Sequence, residues 1–135
     1  MKEKAISENH LYRKAYVGGR RAVSRTVAVY VLKDRRREAL RKANPKKTVI
    51  NRVGISASKK IGGAVERNRA KRVIREAYRQ TDTGIGIKKG YLVVIAAREA
   101  AATEKMQSVL RDLQYCMKKL DMLMPEAESA GENNA

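Results

Sequence analysis

Eight cations within 21 residues, Lys59, Lys60, Arg67, Arg69, Lys71, Arg72, Arg75 and Arg79, are the densest chemistry in the sequence, and that chemistry is phosphate binding. Guanidinium groups present paired N–H donors that match phosphate oxygens, so the arginines read as contacts to a nucleic-acid backbone. Gly62 and Gly63, just ahead of the arginines, would let a backbone approach a positive helix end, a place for phosphate or a phosphate-bound metal ion. A plain loop is the open alternative. Tyr12, Tyr16 and Tyr30 add a second kind of group: exposed tyrosines beside cations stack single-stranded bases, although the same three could be core residues.

Groups for hydrolysis by the protein itself are scarce. There is one His (His10), one Cys (Cys116) and no metal-ligand spacing. Asp34, Glu38, Glu66 and Glu76 are the carboxylates of the basic half, and their cationic surroundings do not suit a two-metal nuclease. Glu66 and Glu76 read instead as partners of neighbouring arginines on one helix. Any processing chemistry is therefore expected from something other than this chain. Cys116, among Met and Leu, reads as helix packing, excludes an internal disulfide and fits a reducing compartment. No run approaches the roughly 18 apolar residues of a membrane helix, and the first residues lack the apolar segment of a signal peptide. The expectation is a soluble, cytoplasmic protein with no membrane partner.

The 135 residues suit one domain, and their net charge of +17 repels itself unless an anionic partner is present. That excess is local. Residues 9–79 carry 22 Lys and Arg against 4 Asp and Glu, while the remainder sums to −1, so the second half reads as a neutral scaffold. All six aromatics are Tyr, which leaves the core to aliphatic side chains.

These groups need elements to position them. A short helix is expected over 9–17, ended by Gly18 and Gly19, with Tyr12 and Tyr16 on one face. Strands are expected over 20–24, 26–32, 49–58 and 91–97, with Tyr30 opposite Val27, Val29 and Val31. Residues 33–48 read as an exposed charged connection, and Thr83 to Gly90 as a Gly-rich loop. A helix over 63–79 would bury Ala70, Val73, Ile74 and Ala77 and leave its other faces cationic. A last helix is expected from Thr103, as N-cap, to Met124, stopped by Pro125. Its stripe of Met106, Leu110, Leu113, Met117, Leu120 and Met124 suits covering a four-stranded sheet, with a coiled-coil seam as the alternative. Residues 1–8 read as a flexible N-terminus and 125–135 as a disordered acidic tail.

From Arg52 to Arg79 the sequence RVGISASKKIGGAVERNRAKRVIREAYR resembles the protein subunit of bacterial ribonuclease P. The family's RNR motif is matched by Arg67, Asn68, Arg69, Lys71, Arg72 and Arg75, and its Ser-x-Lys-Lys-x-Gly element by Ser58, Lys59, Lys60 and Gly62. Its N-terminal aromatic pattern is matched by Tyr12, Tyr16 and Gly19, and the aromatic of the following strand by Tyr30. The resemblance covers about residues 9–123. It implies an α+β fold, a two-layer sandwich ordered α-β-β-β-α-β-α, with a four-stranded mixed sheet and a left-handed βαβ crossover. It further implies that Tyr12, Tyr16 and Tyr30 bind the 5′ leader of precursor tRNA and that the RNR helix anchors the catalytic RNA subunit. Hydrolysis would then belong to that RNA with its Mg²⁺. Gly63 departs from the Asn usual at its position, Gly90-Tyr91 lacks the acidic residue common there, and the 33–48 connection is longer than usual.

Two other classes are distinguishable. A structural ribosomal protein would co-sediment with ribosomes and show no preference for leader-bearing tRNA. A stand-alone nuclease would cleave without any RNA subunit, and nuclease pretreatment would leave it active.

Overall fold

Alternation and helical periodicity are realised in a computed structural model that describes residues 4–5, 9–34 and 51–125. Helix α1 spans Asn9–Gly18, and strands β2 (Arg20–Val23), β3 (Val27–Lys33) and β4 (Arg52–Ser56) follow. A 3₁₀ turn at Lys59–Ile61 leads into helix α2 (Ala64–Gly84), then strand β5 (Tyr91–Ala97), a second 3₁₀ turn (Glu99–Ala102) and helix α3 (Met106–Lys119). The expected α-β-β-β-α-β-α order is present. A two-residue strand β1, Lys4–Ala5, also pairs parallel to β4, so the mixed sheet runs β1-β4-β5-β3-β2. β4 and β5 are parallel, as a strand-helix-strand unit requires, while β3 is antiparallel to both its neighbours. The remainder of the N-terminal flank, residues 35–50 with the charged segment and the first two positions of the expected 49–58 strand, and the tail from 126 lie outside the described residues.

Valines 27, 29 and 31 of β3, with Val93 and Ile95 of β5, face α2 and α3 and form the larger core with Ile74, Leu113, Cys116 and Met117. The opposite face is also apolar and also covered: Leu11 and Ala15 of α1 pack on Leu92, Val94, Tyr30 and Leu32. The single helix α1 thus adds a partial third layer to the expected two-layer sandwich. Among the described residues, no helix is long and apolar enough to cross a membrane.

Several boundaries differ from the sequence reading. α2 continues five residues past Arg79 because Thr81, fully buried, still faces the core and returns its hydroxyl to the Ala77 carbonyl at 2.8 Å. What read as loop from Thr83 therefore starts as helix, and Ile87 of the true loop is buried, 1% exposed. Thr103 is not the N-cap of α3. A 3₁₀ turn occupies the residues before it, and Lys105 stands at the cap without a side-chain bond. Nor does Pro125 end that helix. Asp121 adopts φ 57°, and the amides of Asp121 and Met122 return to the carbonyls of Lys118 (3.1 Å) and Met117 (2.8 Å). That is a left-handed C-terminal cap with Asp where Gly is usual.

Asp34, expected in an exposed connection, is buried. Its carboxylate accepts Nε of Arg52 at 2.6 Å and Nη2 at 2.9 Å, tying the end of β3 to the start of β4. Nearby, Asn51 is fully buried and donates to the Tyr78 hydroxyl (3.1 Å) and the Lys88 carbonyl (2.8 Å), while its own oxygen accepts the Tyr91 amide (2.9 Å).

Candidate nucleic-acid interface

Strand register sets the aromatic part of the site. On the α1 side of the sheet, Gly54, Val94, Tyr30 and Arg21 are successive cross-strand partners and form one row. The next row on the same face is Ser56, Ala96, Ala28 and Val23. Tyr12, four residues before Tyr16 on α1, lies directly over Gly54: a Cβ there would fall 2.5 Å from its hydroxyl, so only glycine lets the ring down onto the sheet. Burial and the neighbouring Tyr16 push the Tyr12 phenol up, keeping it protonated. Tyr16 is 40% exposed, shares a hydrogen bond with the Ser56 hydroxyl at 2.9 Å, and meets Tyr30 edge to face with ring centroids 4.8 Å apart. Ser56, Ala96 and Ala28 of the second row are short, so the sheet surface lies low beside Tyr16 and Tyr30 as a shallow trough, with the exposed Val23 at its β2 edge. The structure joins all three sequence-predicted tyrosines: Tyr12 is mostly a floor residue, while Tyr16 and the half-buried Tyr30 form the wall.

Cations surround this trough, and not all were anticipated. Arg21 is exposed at the end of the Tyr30 row. At the C-terminal ends of β4 and β5, Arg25, Ser58, Lys60 and Arg98 line a pocket of about 440 Å³, together with Glu99. Arg25 and Arg98 belong to turns distant in sequence, so only strand pairing brings them beside Lys60. The lone signal in the sequence was the placement of each at a strand end.

On α2 the six motif positions divide by role. Asn68, Arg72 and Arg75 are exposed, and Arg67 and Lys71 are half-buried. Arg69 points elsewhere. Its Nη1 donates to the carbonyls of Ala101 (3.1 Å) and Ala102 (2.9 Å) and its Nη2 to that of Glu104 (3.0 Å), so it clamps the turn between β5 and α3. Arg69, expected among the phosphate contacts, is first a brace for the segment carrying Arg98. Lys59 and Lys60 are exposed on the 3₁₀ turn ahead of the helix.

Gly62, with φ 143°, takes a conformation suited to glycine and redirects the chain into α2, whose N-cap is Gly63. Glu66 in the first helical turn folds against both glycines; a Cβ on Gly63 would lie 3.2 Å from its Oε2. A carboxylate therefore already stands at the positive helix end, and a phosphate approaching Gly62 and Gly63 meets it.

The expected Glu76 pairing with a neighbouring arginine is present. Arg79 donates Nε to Glu76 at 2.9 Å and Nη2 to the other carboxylate oxygen, and Gln80 adds a third bond at 3.0 Å. These bonds, Arg79 first, lower the Glu76 carboxyl from its ordinary 4.5 to about 2. With the folded value below the unfolded one, the pair's contribution is present above the ordinary value and fades as pH falls toward the lower one. At neutral pH Glu76 therefore neutralises the last member of the basic row. Glu76→Gln should release Arg79 and steepen the salt dependence of RNA binding by about one unit; an unchanged log–log slope would place Arg79 off the interface.

Neither lone reactive residue forms a centre. His10 is exposed, and Cys116 is fully buried, where desolvation pushes its thiol up. Among the described residues, no three His, Cys, Asp or Glu side chains are grouped to hold a metal ion.

The Ribonuclease P family model matches residues 1–121. The ribonuclease P protein component of Dehalococcoides mccartyi is 45% identical over 85 residues, covering 63% of this chain and 68% of that protein. The component from Clostridioides difficile is 31% identical over 119 residues, covering 88% and 93%. Among solved structures, the RNase P protein of Staphylococcus aureus superposes with a TM-score of 0.71 at 25% identity, covering 91% of this chain and all of that one. That of Thermotoga maritima, with a TM-score of 0.64 at 20% identity, shares the fold over 84% of this chain and 94% of its own.

Proposed function

Because the chain belongs to the ribonuclease P protein family, we propose that it is the RNA-binding subunit of that tRNA-processing ribonucleoprotein and holds the single-stranded 5′ leader of precursor tRNA. The observation that carries this reading is the trough: the Tyr16–Tyr30 pair stands over a floor of small side chains with cations at its ends. Bases of an unpaired strand would stack against the tyrosine wall, while its phosphates would meet Arg21 on one side and Lys60 and Arg98 of the pocket beyond. Contacts to aromatic faces and phosphates tolerate any base, as a subunit serving many precursors requires.

The exposed face of α2, with Asn68, Arg72 and Arg75, would seat the catalytic RNA, joined by Arg67, Lys71 and Lys59. Hydrolysis in this reading belongs to the RNA. Mg²⁺ would be bound mainly through the RNA subunit. The complex would act in the cytoplasm, where precursor tRNA is made.

Tyr16→Ala tests the leader assignment. It should weaken binding of leader-bearing precursor tRNA by about 1–3 kcal/mol, the worth of one stacked base, and leave mature tRNA binding unchanged. The measurement is a fluorescence anisotropy titration of both tRNAs against wild type and variant. Equal losses for the two ligands would assign Tyr16 to packing alone.

A further inference from the structure

The neutral balance of the second half conceals a cationic face. Its described carboxylates are largely engaged. Asp82 binds Lys89 at 2.7 Å, Glu104 binds Arg25 at 3.1 Å, and Asp121 binds Lys88 at 3.1 Å. Asp112, the one carboxylate on α3, accepts the hydroxyl (2.6 Å) and amide (3.1 Å) of Thr26. Arg111 and Lys118 form no ion pair among the described residues. With Tyr115 between them, at spacings of four and three, they share one outer face of α3.

Tyr115 is 52% exposed, and the Lys119 ammonium lies 5.7 Å from its ring centroid. Beside it, Arg111, Gln114 and Lys118 border a groove of about 590 Å³ that reaches Ile85 and Met124, both also exposed, and whose one carboxylate, Asp121, is the one paired with Lys88. An aromatic ring flanked by cations is the same combination found at the trough, here on the opposite side of the sheet.

We propose that this face of α3 is a second RNA-contact surface, taking an unpaired base against Tyr115 and the flanking phosphates on Arg111 and Lys118. Charge selects the occupant. A second copy docking about a two-fold axis would bring Arg111, Lys118 and Lys119 toward their own counterparts, whereas a polyanion neutralises them. A base also has the flat face that an exposed ring beside cations suits. The proposal rests on the reading of this chain as an RNA-binding subunit but not on which strand fills the trough.

The test uses the full chain with a short fluorescein-labelled oligo(U), and the same oligonucleotide carrying 4-thiouridine for photo-crosslinking. Wild type should bind two strands per chain and cross-link in the peptide containing Tyr115 as well as in one containing Tyr16. Tyr115→Ala combined with Lys118→Glu should abolish the Tyr115 cross-link and weaken the second strand about tenfold, with leader discrimination and melting temperature unchanged. Arg111→Glu, also exposed, should give the same weakening should the double variant fold poorly. A single strand per wild-type chain with no Tyr115 cross-link would overturn the proposal. So would a wild-type dimer in sedimentation that the Tyr115 variant dissolves, or oligo(U) binding insensitive to these substitutions. Loss of leader discrimination with the Tyr115 cross-link intact would sink the leader reading and leave this one standing.

Discussion

Asp34→Ala should cost about 3–5 kcal/mol of folding stability, the largest effect expected of any single substitution in this chain. The variant keeps Arg52 buried at the start of β4 while removing the carboxylate that takes its Nε and Nη2. Most of the expected cost is the desolvated guanidinium left behind, not the worth of the pair. Replacing both residues together, Asp34→Leu with Arg52→Met, should therefore recover most of the loss. Urea denaturation followed by circular dichroism measures it as a shift in midpoint at constant slope. A loss under about 1 kcal/mol for Asp34→Ala would mean that water reaches Arg52 once the carboxylate is gone.

Arg69→Ala should be the second largest, on the order of 3 kcal/mol, since hydrogen bonds from a charged group are worth about 1.5–3 kcal/mol each and the three here are not independent. They hold the Glu99–Ala102 turn against α2, and Arg98 at the head of that turn borders the pocket shared with Lys60. Arg69→Ala should accordingly lower stability and weaken RNA binding together. Arg72→Ala and Arg75→Ala, on the exposed side, should instead leave stability unchanged and reduce the salt slope by about one unit each. Denaturation and salt-titrated RNA binding on the same three variants separate the roles. An Arg69→Ala protein of wild-type stability with a reduced slope would return Arg69 to the interface.

These two residues show where sequence reasoning stops. α2 and β3 were legible because their apolar residues recur at the periods of helix and strand, and placing Tyr30 opposite the valines needed only alternation. Helical spacing likewise put Tyr12 and Tyr16 on one face, whereas Tyr30 meets Tyr16 only through the sheet. Nothing local marks Asp34 as buried, because its partner lies across a segment of 17 residues rich in charge. Arg69 sits in a run of arginines, and only the fold shows that its donors turn inward to carbonyls more than 30 residues away. The end of α3 was misplaced for a different reason: Asp121 takes the left-handed conformation that glycine usually signals, while Pro125 offered a plainer stop.

The charge ledger changes in the same way. Counting residues put the cations in the first half, but pairing matters as much as number. Glu76 removes Arg79 from the basic row, while the engagement of Asp112 leaves Arg111 and Lys118 uncompensated on α3.

In the proposed function this protein assists an RNA that does the cutting. Cleavage of precursor tRNA by the cognate RNA subunit, with and without the protein and scanned over Mg²⁺ at near-physiological salt, tests it most directly. The protein should lower the Mg²⁺ required for cleavage and should cleave nothing alone. An unchanged Mg²⁺ requirement, or cleavage by the protein after its RNA has been digested away, would contradict it.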